Sequence, residues 1–199
     1  MTSSFRTLLL VAAAGAMAQT PNIPRSEHPN PMMARAEWQT LNGAWEFEFD
    51  DQNKGVAERW YAGDRKFSRT IQVPYAFQSK LSGIGDPSFH DVVWYRRGLR
   101  IPGSFAGKRA LLNFGAVDYE ATVWVNGQQA AWHRGGNVGF SCDITDFLKS
   151  GENVIVVRAF DPSTDRLRRF ARDVRLPLVI GHVLPPQVLS QAGPVAGVG

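Results

Sequence analysis

The 199-residue chain is long enough for one domain with a substantial core. It is too short for such a domain together with a catalytic barrel of about 250 residues. Hydrophobic residues make up 44% of the chain, which excludes a mostly disordered protein. The net charge of +4 arises outside the central part, because residues 19–161 hold sixteen basic and sixteen acidic side chains. This balance argues against a nucleic-acid partner.

The first 18 residues have the features of a secretory signal peptide. Arg6 gives a positively charged start, Leu8 to Ala14 form an apolar run, and Ala16-Met17-Ala18 form a cleavage motif before Gln19. The apolar run is much shorter than the ~20 residues of a membrane span, so no span is predicted. We therefore expect a secreted or periplasmic protein that is cleaved after Ala18.

Residues 19–40 contain four prolines and few periodic apolar positions, which predicts an extended arm on the surface. From Leu41 the pattern changes to short alternating stretches that are typical of half-buried strands. Trp45, Phe47 and Phe49 share one side of the first strand. Two further strands follow, over 93–101 and 110–116.

The clearest hairpin is predicted where Tyr119 to Val125 run into Asn126-Gly127, a dipeptide that accepts the positive φ angles of a tight turn. A single helical turn with Thr145 as its cap is expected over 143–148. Val154 to Phe160 form a continuous β-branched run, which predicts a strand that is covered on both faces. Seven or eight strands without a long amphipathic helix predict an all-β, antiparallel two-sheet sandwich over residues 41–163.

Residues 164–199 differ from the rest of the chain. They are rich in Arg and then in Pro and Gly, and they follow neither the strand period nor the helix period. We expect an irregular tail there, either disordered or produced by a change of reading frame.

Six short stretches, each weak alone, occur in one order over residues 38–163. Together they resemble the sugar-binding, jelly-roll-like domain that opens family 2 glycoside hydrolases such as β-galactosidases, β-glucuronidases and β-mannosidases. The stretches are Leu41-Asn42-Gly43-Ala44-Trp45, Ile71-Gln72-Val73-Pro74, Trp94-Tyr95-Arg96-Arg97, Val123-Trp124-Val125-Asn126-Gly127, Phe140-Ser141-Cys142-Asp143-Ile144-Thr145 and Asn153-Val154-Ile155-Val156-Val157-Arg158.

The resemblance implies that this domain packs against a catalytic (β/α)8 barrel that carries both catalytic Glu residues. It also implies a truncated glycosidase fragment without catalytic activity of its own. By the position of their motifs, Asp143 and Asp161 become candidates for contacting sugar hydroxyls, since carboxylate oxygens accept hydrogen bonds. The alternatives are that Asp143 caps the turn at Ile144-Thr145 and that Asp161 makes a loop hydrogen bond before Pro162.

Trp132 and His133 form a further candidate contact, because sugar rings stack on aromatic side chains. The alternative is that Trp132 belongs to the core at the end of the hairpin. His90-Asp91 is interpreted as a hydrogen-bonded loop histidine, because no nucleophile elbow accompanies it. The lone Cys142 is interpreted as a small buried hydrophobe.

The sequence predicts no catalytic residue in the chain itself. Retaining glycoside hydrolysis needs two carboxyl groups roughly 5 Å apart, and no such pair is evident. The four histidines lack metal-ligand spacing, so neither a metal nor a cofactor is expected. Two other classes of protein remain open: a free-standing carbohydrate-binding module, and a non-catalytic interaction sandwich.

Overall fold

The computed structural model of the chain describes residues 23–27, 38–105 and 107–162, and the backbone of Leu178–Leu184. Almost all of the regular structure in these ranges is β. The strands are β1 (Gly43–Phe49), β2 (Arg69–Val73), β3 (Val92–Arg100), β4 (Arg109–Phe114), β5 (Glu120–Val125), β6 (Gln128–Arg134), β7 (Phe140–Asp143), β8 (Glu152–Phe160) and β9 (Leu178–Leu184). Short 3-10 turns cover Trp60–Ala62, Lys80–Ser82, Gly103–Phe105 and Thr145–Phe147.

The strands form two antiparallel sheets. The larger sheet has the order β2-β1-β3-β8-β5-β6, and the smaller one has the order β7-β4-β9. Neighbouring strands pair antiparallel in both sheets. The predicted all-β sandwich is thereby confirmed.

The main core lies between the two sheets. Trp45 and Phe47 of β1 are at most 1% exposed, and they pack in one cluster with Leu112 and Phe114 of β4. Glu46 and Glu48 point to the opposite side of β1 and are half-buried. The alternation in the sequence therefore identified the inward face of this strand correctly.

Strand β8 lies in the middle of the larger sheet, between β3 and β5. Ile155 and Val157 belong to the main core, whereas Val156 is buried in a second cluster on the opposite face. The prediction of a strand covered on both faces is confirmed.

The second cluster covers the outer face of the larger sheet. Trp94 and Trp124 stack there with their ring centroids 5.5 Å apart, and the segment between β1 and β2 closes over them with Trp60 and Phe67. The sequence did not predict this layer, because residues 51–68 follow no strand or helix period.

The Asn126-Gly127 hairpin between β5 and β6 is confirmed. Both residues have positive φ, at 51° and 81°, as a tight hairpin turn requires. The Asn126 amide also donates to the Phe147 carbonyl at 2.8 Å and to the Asn153 side chain at 2.7 Å. The turn is therefore joined to the 3-10 turn before β8.

Three expectations are corrected or left open. The tail is not irregular throughout, because Leu178–Leu184 is a β-branched, apolar segment that pairs with the open edge of β4. Trp132 is 54% exposed and not part of the core. The signal peptide, and the other parts of the arm and tail, lie outside the described residues. Within the arm, the carbonyls of Pro24 and Arg25 accept hydrogen bonds from the Asn42 side chain.

Candidate functional site

Asp161 lies at one end of the larger sheet. It directly follows Phe160, which pairs with Val92 of β3 and with Glu120 of β5. Its backbone N–H donates to the Asp91 carbonyl at 2.8 Å. This backbone hydrogen bond fixes the chain at Asp161 and tests neither of the two roles that the sequence offers for its carboxylate.

Three loops meet at the Asp161 end. The Tyr119 N–H donates to the Phe160 carbonyl, and the Gly135 N–H donates to the Tyr119 carbonyl at 2.8 Å. Gly136 follows, and a Cβ at this position would lie 2.1 Å from Oδ1 of Asp118. The side chain of Asp118 would have to move to admit a larger residue, so the loop after β6 lies closely against the loop before β5.

His133 faces the space between the sheets at the same end. Its ring stacks on Phe140 at 4.4 Å, and Phe140 stacks on Phe114 at 4.5 Å. The buried Nε2 of His133 has no hydrogen-bond partner among the described residues. The histidine joins β6 to the smaller sheet through this aromatic stack.

Trp132 points the opposite way, onto the outer face of β6. The guanidinium of Arg134 lies 5.3 Å from its ring centroid, and Arg134 is hydrogen-bonded to Glu120 at 2.8 Å. That hydrogen bond is the largest cause that lowers the pKa of Glu120; partial burial opposes it, and the Trp132 indole adds a further hydrogen bond. The two neighbouring candidates, Trp132 and His133, therefore lie on different faces of the sheet.

Asp143 occupies the opposite end of the sandwich. Its Oδ1 accepts hydrogen bonds from the backbone N–H and the hydroxyl of Thr145, and its Oδ2 accepts from Arg109. Burial alone would raise the pKa of Asp143, but these hydrogen bonds together lower it below its usual value. Oδ1 thus orders the turn, and Oδ2 joins it to β4. The expected turn is present over Thr145–Phe147 with Ile144 at its N-cap position, so Thr145 is not the cap, and the Asp143 carboxylate accepts from the first N–H of the turn.

The two aspartates lie towards opposite ends of the sandwich. Asp161 lies beside Glu120 at one end of β5, whereas Asp143 lies near the hairpin at the other end, because Asn126 contacts Phe147. Five steps of about 3.4 Å along β5 separate the two ends by roughly 17 Å. Trp132 and His133 lie nearer to the Asp161 end, since they pair with Thr122 and Ala121.

The acidic side chains on the outer face of β1 and in the turn after it have structural partners. Glu46 binds Arg96 at 2.6 Å, and Glu48 accepts hydrogen bonds from Ser68 and Arg69. The loop histidine is confirmed, because Nδ1 of His90 lies 2.7 Å from Oδ1 of Asp51. These contacts assign the three acidic groups to the fold.

The described ranges contain neither a metal-binding cluster nor a membrane-spanning helix. No cluster of three or more His, Cys, Asp or Glu side chains there has an arrangement that could hold a metal ion. Every helical element in the same ranges is a short 3-10 turn, and none is long and apolar enough to cross a membrane.

The fold and its two loop-bearing ends are those of a known class of domain. Residues 38–167 match the family model described as the sugar binding domain of glycosyl hydrolases family 2. The chain therefore belongs to the family 2 glycosyl hydrolases, and the β-sandwich is their sugar-binding domain.

The relatives found are mainly β-glucuronidases. The chain is 31% identical over 122 residues to a β-glucuronidase of Paenibacillus borealis, which covers 61% of this chain and 20% of the relative. It is 33% identical over 126 residues to the β-glucuronidase of Felis catus, covering 58% and 19%. The structure of Lactobacillus rhamnosus β-glucuronidase superposes with a TM-score of 0.56 at 31% identity, over 62% of this chain and 21% of that one. The chain spans about a fifth of the length of these relatives.

Proposed function

We propose that the chain supplies the sugar-binding domain of an exported β-glucuronidase-like glycosidase. The observation that carries this proposal is the match of residues 38–167 to the sugar-binding domain, together with relatives that are named β-glucuronidases. Bond cleavage would require a pair of carboxyl groups supplied by a catalytic domain. The isolated chain is therefore expected to be catalytically silent.

Within this function, Asp161 is the proposed contact to the sugar. Three loops converge around its position, and a carboxylate there can accept hydrogen bonds from neighbouring hydroxyls. Asp143 suits this role less well, because both of its oxygens already accept hydrogen bonds from the domain.

The catalytic part of the proposal is tested with 4-nitrophenyl β-D-glucuronide. The purified 199-residue chain should release no nitrophenol. A chimera in which residues 38–162 replace the matched region of the Paenibacillus borealis β-glucuronidase should hydrolyse this substrate. Turnover by the isolated chain would overturn the proposal, and so would an inactive chimera that shows a cooperative thermal transition.

The sugar contact is tested with two matched variants of that chimera. Asp161→Asn should lower kcat/KM about tenfold, equivalent to ~1.4 kcal/mol. Asp143→Asn should lower the melting temperature and leave KM unchanged. An unchanged kcat/KM for Asp161→Asn would show that Asp161 does not contact the sugar.

The proposal of export rests on the pattern of residues 1–18. Mass spectrometry of the protein secreted from a bacterial host should find a mature chain that begins at Gln19. An intact amino terminus retained in the cytoplasm would contradict export.

A further inference from the structure

One large aromatic side chain is left in solvent on the larger sheet. All six tryptophans lie within the described residues, and Trp132 alone among them is exposed, at 54%. Trp45, Trp60, Trp94 and Trp124 are each at most 7% exposed. Strand β6 is an edge strand, so a neighbouring strand of the described sheet flanks this side chain on one side only.

Polar contacts hold the Trp132 ring in place. Glu120 pairs directly with Arg134 across β5 and β6, and its Oε2 accepts a hydrogen bond from the guanidinium at 2.8 Å. The nearby Trp132 indole also contributes to lowering the pKa of the same carboxylate, after the larger effect of Arg134. Arg134 also lies 5.3 Å from the Trp132 ring centroid. An aromatic surface fixed in this way loses little conformational entropy when a ligand binds.

The side chains of Trp132, Glu120 and Arg134 together have the chemistry to bind a sugar ring. The face of an indole stacks on the apolar C–H face of a pyranose, while a carboxylate and a guanidinium accept and donate hydrogen bonds to its hydroxyls. The charges of Glu120 and Arg134 compensate each other. A balanced pair favours neutral hydroxyls, whereas a polyanion such as nucleic acid would need an excess of basic side chains.

We propose that Trp132, Glu120 and Arg134 form a saccharide-binding platform on the outer face of β6 that takes a pyranose unit of a β-linked oligosaccharide. The platform is a second contact beyond the one proposed for Asp161. Its existence does not rest on the proposed function, although the choice of glucuronic acid as a probe does.

The test uses the full 199-residue chain with β-1,4-linked tetramers of glucose and of glucuronic acid as probes. Binding is followed by calorimetry and by tryptophan fluorescence. We expect at least one tetramer to bind, with an affinity that changes less than twofold between 50 and 300 mM salt. Trp132→Ala should weaken that binding at least tenfold, and Glu120→Gln should weaken it severalfold.

One control variant separates this site from the general loss of an exposed apolar side chain. Leu81→Ala removes another such side chain, 67% exposed and outside the platform, and should leave binding unchanged. The melting temperature of Trp132→Ala should equal that of the parent chain.

The platform assignment is wrong if neither tetramer binds, or if Trp132→Ala binds as tightly as the parent. Salt-sensitive binding of a DNA oligonucleotide that Trp132→Ala abolishes would assign the surface to nucleic acid instead. Self-association that depends on Trp132 would assign it to a second copy of the chain. Each of these two results would overturn the saccharide proposal.

Discussion

At the residue scale, Asp143 and Cys142 are neighbours on β7 with different roles. Asp143 is ionised and orders the following turn through Thr145. Burial, followed by the adjacent negative charge of Asp143, raises the pKa of the Cys142 thiol to about 11. Cys142 is therefore a thiol and not a reactive thiolate near neutral pH. It is half-buried against the main core, whereas the sequence predicted a buried side chain.

Replacing Asp143 should destabilise the domain in a manner that depends on pH. Asp143→Ala removes the acceptor that caps the turn, which costs about 1 kcal/mol in the free energy of unfolding at pH 7. The pKa of Asp143 is lower in the folded state, so its stabilising contribution is present above the unfolded value of about 3.9. That contribution is lost as the pH falls through the folded pKa. Urea denaturation should therefore show a smaller difference in the free energy of unfolding between the parent chain and Asp143→Ala at pH 3 than at pH 7.

The control for this experiment is Asp146→Ala, which removes an exposed carboxylate from the same turn. It should change the free energy of unfolding by less than about 0.5 kcal/mol. An equal loss in both variants, or a loss that is the same at both pH values, would contradict the capping role of Asp143.

Single residues also show where sequence patterns fail. The environments of His90 and Cys142 followed from their chemical type, but the exposure of Trp132 did not. The burial of an outward-facing side chain on a strand depends on whether another segment covers that face. Alternation along the strand contains no information about such a cover.

At the element scale, the segment between β1 and β2 acts as a lid on the outer face of the larger sheet. Asp50 anchors it: the carboxylate accepts hydrogen bonds from the backbone N–H groups of Lys54 and Gly55, each at 2.8 Å, and from the Trp94 indole at 3.0 Å. Asp50 is only 3% exposed, so these donors satisfy a buried charge. The lid then places Trp60 and Phe67 over Trp94.

Asp50→Asn should loosen this lid without changing the size of the side chain. The amide group would present N–H donors to N–H donors, so we expect a loss of about 3 kcal/mol in the free energy of unfolding. Hydrogen exchange should increase at Lys54 and Gly55 more than in β8. Asp64→Asn is the matched control, because Asp64 is exposed within the same segment. Comparable losses in the two variants would show that Asp50 does not anchor the lid.

The strands and the lid differ in how far they could be predicted. Period-two alternation identified β1, and the β-branched run identified β8 as a central strand. On β3, Trp94 alternates with Val93 and Tyr95, and this alternation alone places its side chain on the outward face of the sheet. It proved fully buried, because an irregular segment more than 25 residues earlier in the chain folds over it. Such covering by irregular segments has no local signature in the sequence.

At the scale of the whole molecule, the two ends of the sandwich are built differently. The hairpin end is closed by amide hydrogen bonds among Asn126, Phe147 and Asn153, which is 0% exposed. The Asp161 end instead brings three loops together. The sequence identified Asp143 and Asp161 as comparable candidates, because spacing along the chain does not reveal which end of a sheet a residue occupies.

The smaller sheet depends on a strand from the far end of the chain. Strand β4 pairs with β7 on one side and with the backbone of β9 on the other. A chain that ends at residue 177 lacks β9, which leaves the N–H and C=O groups along that edge of β4 without strand partners. We expect such a chain to melt several degrees lower and to aggregate more readily than the full chain.

A chain that ends at residue 184 keeps β9 and provides the control for this truncation. It should retain the melting temperature of the full chain, since the pairing of Arg109–Phe114 with Leu178–Leu184 is intact. Differential scanning calorimetry and light scattering compare the three lengths under the same conditions. Because main-chain hydrogen bonds at a sheet edge do not depend on side-chain identity, β9 stabilises β4 even though its sequence lacks a clear strand period. Equal melting temperatures for all three chains would mean that this pairing contributes nothing to stability.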